Sequence, residues 1–227
     1  MFLPKLKIKP GKRAIIFFTL PELNYAKNII TGKNASFLNL RIKYNEKALI
    51  LGPVMGAPLL SIVLEVLKSL EIEKIIGMGW AGKMTSKLES GDLFLPIKAY
   101  AIEGVSKFYF PKKRTFHPDK DFFKKIEDEI IKRKIFFKKG NILSVDTPFI
   151  FEREKELFKK WEGIVEALDM ETSALFSVGE SLQMKVMALH FITDEVGKFF
   201  EKRPEEEIRI KRQKVFEILK DFLDYKI

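Results

Sequence analysis

Two pairs of acids late in the chain, Asp169 with Glu171 and Asp194 with Glu195, have the spacing from which proton chemistry could be built. They lie in the stretch 167–196, ALDMETSALFSVGESLQMKVMALHFITDEV, whose apolar pattern reads as strand, helix, strand. The first pair flanks Met170 at a strand-to-helix junction, and the second follows the next strand. In parallel α/β folds ligands gather beyond the C-terminal ends of strands, so this unit points several carboxylates at one crevice. One carboxylate can grip vicinal hydroxyls while a second, protonated, hands its proton to a leaving group. Together these suit the chemistry of a nucleoside.

Such residues need a frame. Strand-like runs occur at 14–19, 48–51, 74–78, 93–101, 142–145, 163–168 and 186–193, and helical patterns at 59–70, 122–133, 170–182 and 205–225. In the helix from Met170, Ala174, Leu175, Val178 and Leu182 recur at helical spacing and form a buried stripe. The alternation predicts one α/β domain spanning 1–227, with a largely parallel or mixed sheet. Its C-terminal helix, about 204–225, has Pro204 near its start, acids after it, and Val215, Ile218, Leu219, Phe222 and Leu223 as its packing face.

Composition removes several chemistries. Hydrophobic content of 46% and charged content of 32% describe an ordinary globular protein. No apolar run is long enough to span a membrane, and the N-terminal MFLPKLKIKPGKR lacks the apolar stretch of an export signal, so a cytoplasmic location is expected. With no cysteine there is no disulfide, thiolate nucleophile or cysteine-bound zinc. His117 and His190 are too few and too far apart for an obvious metal site. The net charge of +10 is spread along the chain, and its clusters at 112–114, 132–139 and 209–214 lie beside acids, as on solvated helices. That pattern argues against a nucleic-acid partner. Abundant Lys, Glu, Ile and Phe without Cys is thermophile-like, although a biased base composition would look similar.

Two glycine clusters add backbone room. Gly52-Pro-Val-Met-Gly-Ala-Pro58 separates a strand from an apolar helix, and reads first as a tight turn, second as a ligand cradle at a helix N-terminus. Gly77-Met-Gly-Trp-Ala-Gly82 is expected just beyond a strand, where small residues leave space for a flat ring; its spacing is not a dinucleotide fingerprint. Gly91-Asp-Leu-Phe-Leu-Pro96 reads as a turn entering a strand.

The segments LGPVMGAPLLSIVLEVL, IIGMGWAGKMTSKLESGDLFLP, EGVSKFYFP, SVDTPF, ALDMETSALFSVG and FITDEV occur in an order that resembles the nucleoside phosphorylase family. That family includes purine nucleoside and uridine phosphorylases and the methylthioadenosine/S-adenosylhomocysteine nucleosidases. The resemblance runs from about Ala14 to Val196 and implies a single-domain three-layer α/β/α sandwich around a twisted mixed sheet. It also implies a nucleoside as small-molecule partner, a homo-oligomer (dimer or hexamer), and no cofactor unless phosphate is a co-substrate. By the same resemblance Met170 and Glu171 hold the ribose, Asp194 is the general acid toward the base, and Ala81 and Gly82 line the base pocket. Pro148 and Phe149 stand where an aromatic packs on the base, with Phe149 one residue late.

The pattern breaks at the phosphate subsite. Where phosphorylases of this family carry Gly-Asp-Pro-x-Arg, this chain has Thr19-Leu-Pro-Glu-Leu23, and Gly77 replaces a second arginine. Trp80 stands where a small hydroxyl residue is expected. Glu22 lies near the position at which the nucleosidase branch activates water, while Arg41 could restore positive charge from elsewhere, even across a subunit boundary. The preferred expectation is therefore cleavage of the N-glycosidic bond of a purine-type nucleoside, with water slightly favoured over phosphate. A phosphorylase with a rebuilt anion site is the alternative, and a degenerate nucleoside-binding or scaffolding protein is another. The acids also have plainer roles open to them. Asp169, Glu171 and Glu22 could complement helix N-termini, and Asp194 could cap the segment after it.

Overall fold

The computed structural model describes residues 8–197 and 205–227. Pro204, expected near the start of the last helix, lies outside them. In chain order the elements are β1 (Arg13–Phe17), α1 (Leu20–Tyr25), β2 (Lys33–Phe37), β3 (Leu40–Tyr44), β4 (Ala48–Gly52), α2 (Ala57–Ser69), β5 (Lys74–Lys83) and β6 (Leu93–Ala101). There follow α3 (Ser106–Tyr109), β7 (Thr115–Phe116), α4 (Lys120–Lys132), β8 (Phe137–Ser144), α5 (Pro148–Arg153) and α6 (Lys155–Lys159). The chain finishes with β9 (Ala167–Asp169), α7 (Thr172–Ser181), β10 (Lys185–Glu195) and α8 (Glu205–Leu223).

Strand β1 pairs in parallel with β4 and β5, and β4 continues through antiparallel β3 to the edge strand β2. On its other side β5 pairs with β10 in parallel and, at its C-terminal end, with β9 in antiparallel. Because β10 pairs with β6, β6 with β8 and β8 with β9, these strands close into a ring that returns to β5. The mixed sheet is thus open at one end and closed at the other, with β5 belonging to both parts.

Strand alternation sorts the core. Ala14, Ile16 and Ile75 face the helices α2 and α7, whereas Ile15, Phe17, Ile76 and Met78 face α4 and α8. Both faces of the sheet are covered, as the three-layer expectation requires. A third cluster, including Leu143, Val145, Phe151 and Leu168, fills the space beneath α5 and α6.

Several local expectations need correction. The 77–82 glycine cluster lies inside β5 rather than beyond a strand. It is glycine there for want of room: a Cβ on Gly77 would fall 2.5 Å from Cζ of Phe18 and 2.7 Å from Cδ2 of Leu175. Strand β9 is shorter than 163–168, since the chain turns at Gly163 with φ of 75°. Helix α7 begins at Thr172, leaving Met170 and Glu171 in the junction before it.

Candidate active site

Gly52–Pro53 is cis, Gly56 has φ of 83°, and Gly56 serves as N-cap residue of α2. Its N–H points at Glu171, whose Oε1 accepts it at 2.6 Å. Oε2 of Glu171 takes a longer contact, 3.3 Å, from the N–H of Met170. Glu171 is N-cap residue of α7 yet makes no side-chain cap to it. Asp169 performs that duty instead, accepting the Thr172 N–H at 2.8 Å. The helix-complementing role is therefore met by Asp169, while the Glu171 side chain crosses to another element.

Among the described residues only backbone donors hold Glu171, and it is 6% exposed. Burial first, then the negative charge of Asp169, pushes its carboxyl up to about 8, with the Gly56 and Met170 donors opposing in part. Beside it a cavity of about 510 Å³ is walled by Gly56, Met170, Gly104, Phe108, Tyr109 and Asp146. Asp146 accepts the Gly104 N–H at 2.9 Å and so ties two walls together. Tyr109 donates to Glu65 at 3.0 Å, and burial with that contact pushes its hydroxyl up to about 12.

Asp194 stands near the end of β10, where one extra residue, Thr193, is accommodated between Ile192, paired with Ala81, and Asp194, paired with Gly82. Such a bulge re-aims a side chain. Thr193 Oγ1 donates to Asp194 Oδ1, and Oδ2 lies over Gly82, 3.2 Å from where a Cβ would sit. Gly82 pairs with Asp194 on one edge and with Leu168 of β9 on the other. Asp194 and Leu168 are thus about 10 Å apart across β5, and Glu171 follows Leu168 by three residues. Ala81 and Gly82 are buried at that end of β5. Pro148 and Phe149 open α5 just after the wall residue Asp146, with Phe149 63% exposed.

Trp80 and Glu22 meet in another cluster, where β5 packs against α8. Trp80 packs toward α8, and its Nε1 donates to Glu22 Oε1 at 2.9 Å. Glu22, in the first turn of α1, is fully buried and receives Arg212 of α8 through two contacts, 2.9 Å to Oε2 and 2.7 Å to Oε1. The Trp80 indole N–H is thus engaged by Glu22. Arg41 lies on β3, 3.3 Å from Asn24 Oδ1.

Sequence reasoning missed Arg212, His190, Ser144 and the wall residues Gly104, Phe108, Tyr109 and Asp146. The wall residues lie in the EGVSKFYFP and SVDTPF motifs, so the signal was present without a role for each residue. Among the described residues no group of three or more His, Cys, Asp or Glu could hold a metal, and no helix is long and apolar enough to cross a membrane.

Comparison with known proteins gives this arrangement a lineage. The purine nucleoside phosphorylase DeoD-type of Alkaliphilus metalliredigens is 28% identical over 147 residues, 63% of this chain and 62% of that protein. The chain thus spans a little under two thirds of the length of such curated relatives. A purine nucleoside phosphorylase from Toxoplasma gondii in complex with immucillin-H shares the fold, with TM-score 0.83 at 14% identity, covering 95% of this chain and 91% of that one. A uridine phosphorylase from Vibrio fischeri ES114 matches with TM-score 0.78 at 21% identity, over 93% and 92% of the two chains. The Campylobacter jejuni 5'-methylthioadenosine/S-adenosylhomocysteine nucleosidase matches with TM-score 0.77 at 15% identity, over 96% and 100%. At these identities the structures speak for the fold alone. The family description "Phosphorylase superfamily" matches residues 12–224, and the chain belongs to that family.

Proposed function

We propose that the protein cleaves the N-glycosidic bond of a purine-type nucleoside in nucleoside catabolism or salvage, in the cytoplasm. One observation carries the reading: Glu171 is buried, ignores its own helix and is held by Gly56 beside a cavity large enough for a sugar and base. Glu171 and Met170 bind the sugar, and Asp194 gives its proton to the departing base as the sugar gains oxocarbenium character. Ala81, Gly82, Pro148 and Phe149 border the base. The exposed Met55 and Phe108, at 65% and 80%, favour a homo-oligomer in which a neighbouring copy covers apolar surface.

Water is favoured as acceptor because the family's phosphate residues are missing and the Arg212 guanidinium of α8 is already matched by Glu22. Phosphorolysis is the second reading, supported by relatives that are purine nucleoside phosphorylases and by Arg212 as a ready anion partner should Glu22 yield it. Incubation with adenosine, inosine, methylthioadenosine and uridine, with and without phosphate, separates them. We expect base release without phosphate, reduced about 10²–10⁴-fold by Asp194→Asn. Phosphate-dependent appearance of ribose 1-phosphate sinks the hydrolytic version. Nucleoside binding without turnover leaves a binding protein.

A further inference from the structure

Helix α3, which carries Phe108 and Tyr109 of the cavity wall, is a single turn. A helix that short does not hold itself, so its place is set from outside. At its far end Tyr109 is tied to Glu65 of α2. At its near end stands Glu103, 4% exposed, whose carboxylate accepts from four neutral donors. Oε2 takes the N–H groups of Val105 and Ser106, the latter at 3.1 Å. Oε1 takes the hydroxyls of Ser106 and, at 2.9 Å, of Ser173. The two backbone contacts hold only the start of α3, but the hydroxyls reach further. Ser173 belongs to α7, and Ser106 Oγ, its one hydrogen given to Glu103, accepts from Ser177 Oγ of α7 at 2.8 Å. Ser173 and Ser177 are fully buried, where a helix face would by default be apolar. A local cap on α3 needs neither of them.

We propose that Glu103 is a positioning residue for the nucleoside cavity. By clamping α3 to α7 it sets the distance between the wall of Phe108 and Tyr109 and the junction that presents Met170 and Glu171. The inference rests on that cavity being the nucleoside site. The connection is short: Ser173 lies three positions after Met170, within the first turn of α7. On the other side Gly104, next to Glu103, gives its N–H to Asp146 at 2.9 Å. The wall is thus fixed to α7 by one acid, to the segment after β8 by a second and to α2 through Tyr109. Only the first of these ties leads to the helix that starts at Glu171. A nucleoside gripped between wall and junction then meets a gap of fixed width, which lowers the cost of ordering it.

The test combines amide hydrogen exchange over α3 with KM and kcat for adenosine. The double variant Ser173→Ala, Ser177→Ala cuts the reach to α7 and leaves the N–H contacts of Glu103 in place. In it the α3 amides should exchange faster, KM should rise about tenfold and kcat should stay within about twofold of the parent. Glu103→Ala should act in the same direction and more strongly. Glu103→Gln should stay near the parent, because its amide can accept from the two N–H groups and donate to the two hydroxyls. Should Glu103→Ala fail to fold, the serine pair decides. Unchanged exchange in the folded serine variant overturns the inference, as does faster exchange with an unmoved KM, or a kcat that falls as far as KM rises. A glutamine variant as impaired as the alanine one overturns it too, since charge and not the clamp would then be in control. If α3 loosens in a protein whose parent binds none of adenosine, inosine, methylthioadenosine and uridine, the clamp stands and the nucleoside reading fails.

Discussion

Glu22 and Glu171 are both buried glutamates at helix starts that follow strands, and they meet opposite company. Glu22 has a guanidinium on both oxygens and an indole N–H besides. Glu171 has two backbone N–H groups and a neighbouring negative charge. The first is a closed ion pair that joins α1 to α8; the second is an unneutralised carboxyl beside open space. Burial alone does not decide what a carboxylate does, because the sign and number of its partners decide whether it is spent on the fold or left available for a ligand.

The sharpest way to break this contrast is Arg212→Met. It strands a buried acid, and we expect a loss of about 3–5 kcal/mol in urea unfolding, largely recovered by adding Glu22→Gln. A loss no larger than that of a surface substitution would mean the pair is not what holds Glu22. Glu171→Gln should act with the opposite sign. Above an ordinary carboxyl value near 4.5 the unfolded chain releases a proton that the folded chain retains up to about 8. Stability therefore declines as pH rises between those values. The glutamine variant escapes that decline, so it should be more stable than the parent at pH 9 by a few kcal/mol and indistinguishable in this respect below pH 4.5. Thermal unfolding across pH checks it, and a gap that does not change with pH would remove Glu171's special status. Smallest is Trp80→Phe, which deletes one donor to a charged group, for about 1.5–3 kcal/mol. With the Trp80 N–H engaged by Glu22, we expect nucleoside KM to respond little; a large rise in KM would merge the two clusters into one site.

Much of the frame was legible because both faces of the sheet are buried, which writes apolar runs into β1, β4, β6 and β10. The β2–β3 hairpin was not. Its burial is shallow, and the turn uses Leu38 and Asn39 with φ of 48° and 63° in place of an Asn-Gly signal. Strand β5 was cut short because glycine disfavours strands, while the demand for it comes from Phe18 and Leu175, remote in sequence. At the site, the acids 169, 171 and 194 were visible as residues, but their division of labour depends on which N–H each one meets. Arg212 was hidden in a basic cluster that reads as solvated surface. Ile208, Arg212, Val215 and Leu219 nevertheless follow the apolar spacing of α8, and extending that stripe by one turn would have marked the arginine as buried.

The partnership of Glu22 with Arg212 spans 190 positions of the chain. A ribosome delivers the acid 190 residues before its counter-ion, and burying Glu22 in that interval would leave a carboxylate without its cation. We expect α1 to dock tightly against the sheet only once α8 has emerged, a sequence that protection from proteolysis in stalled nascent chains would reveal.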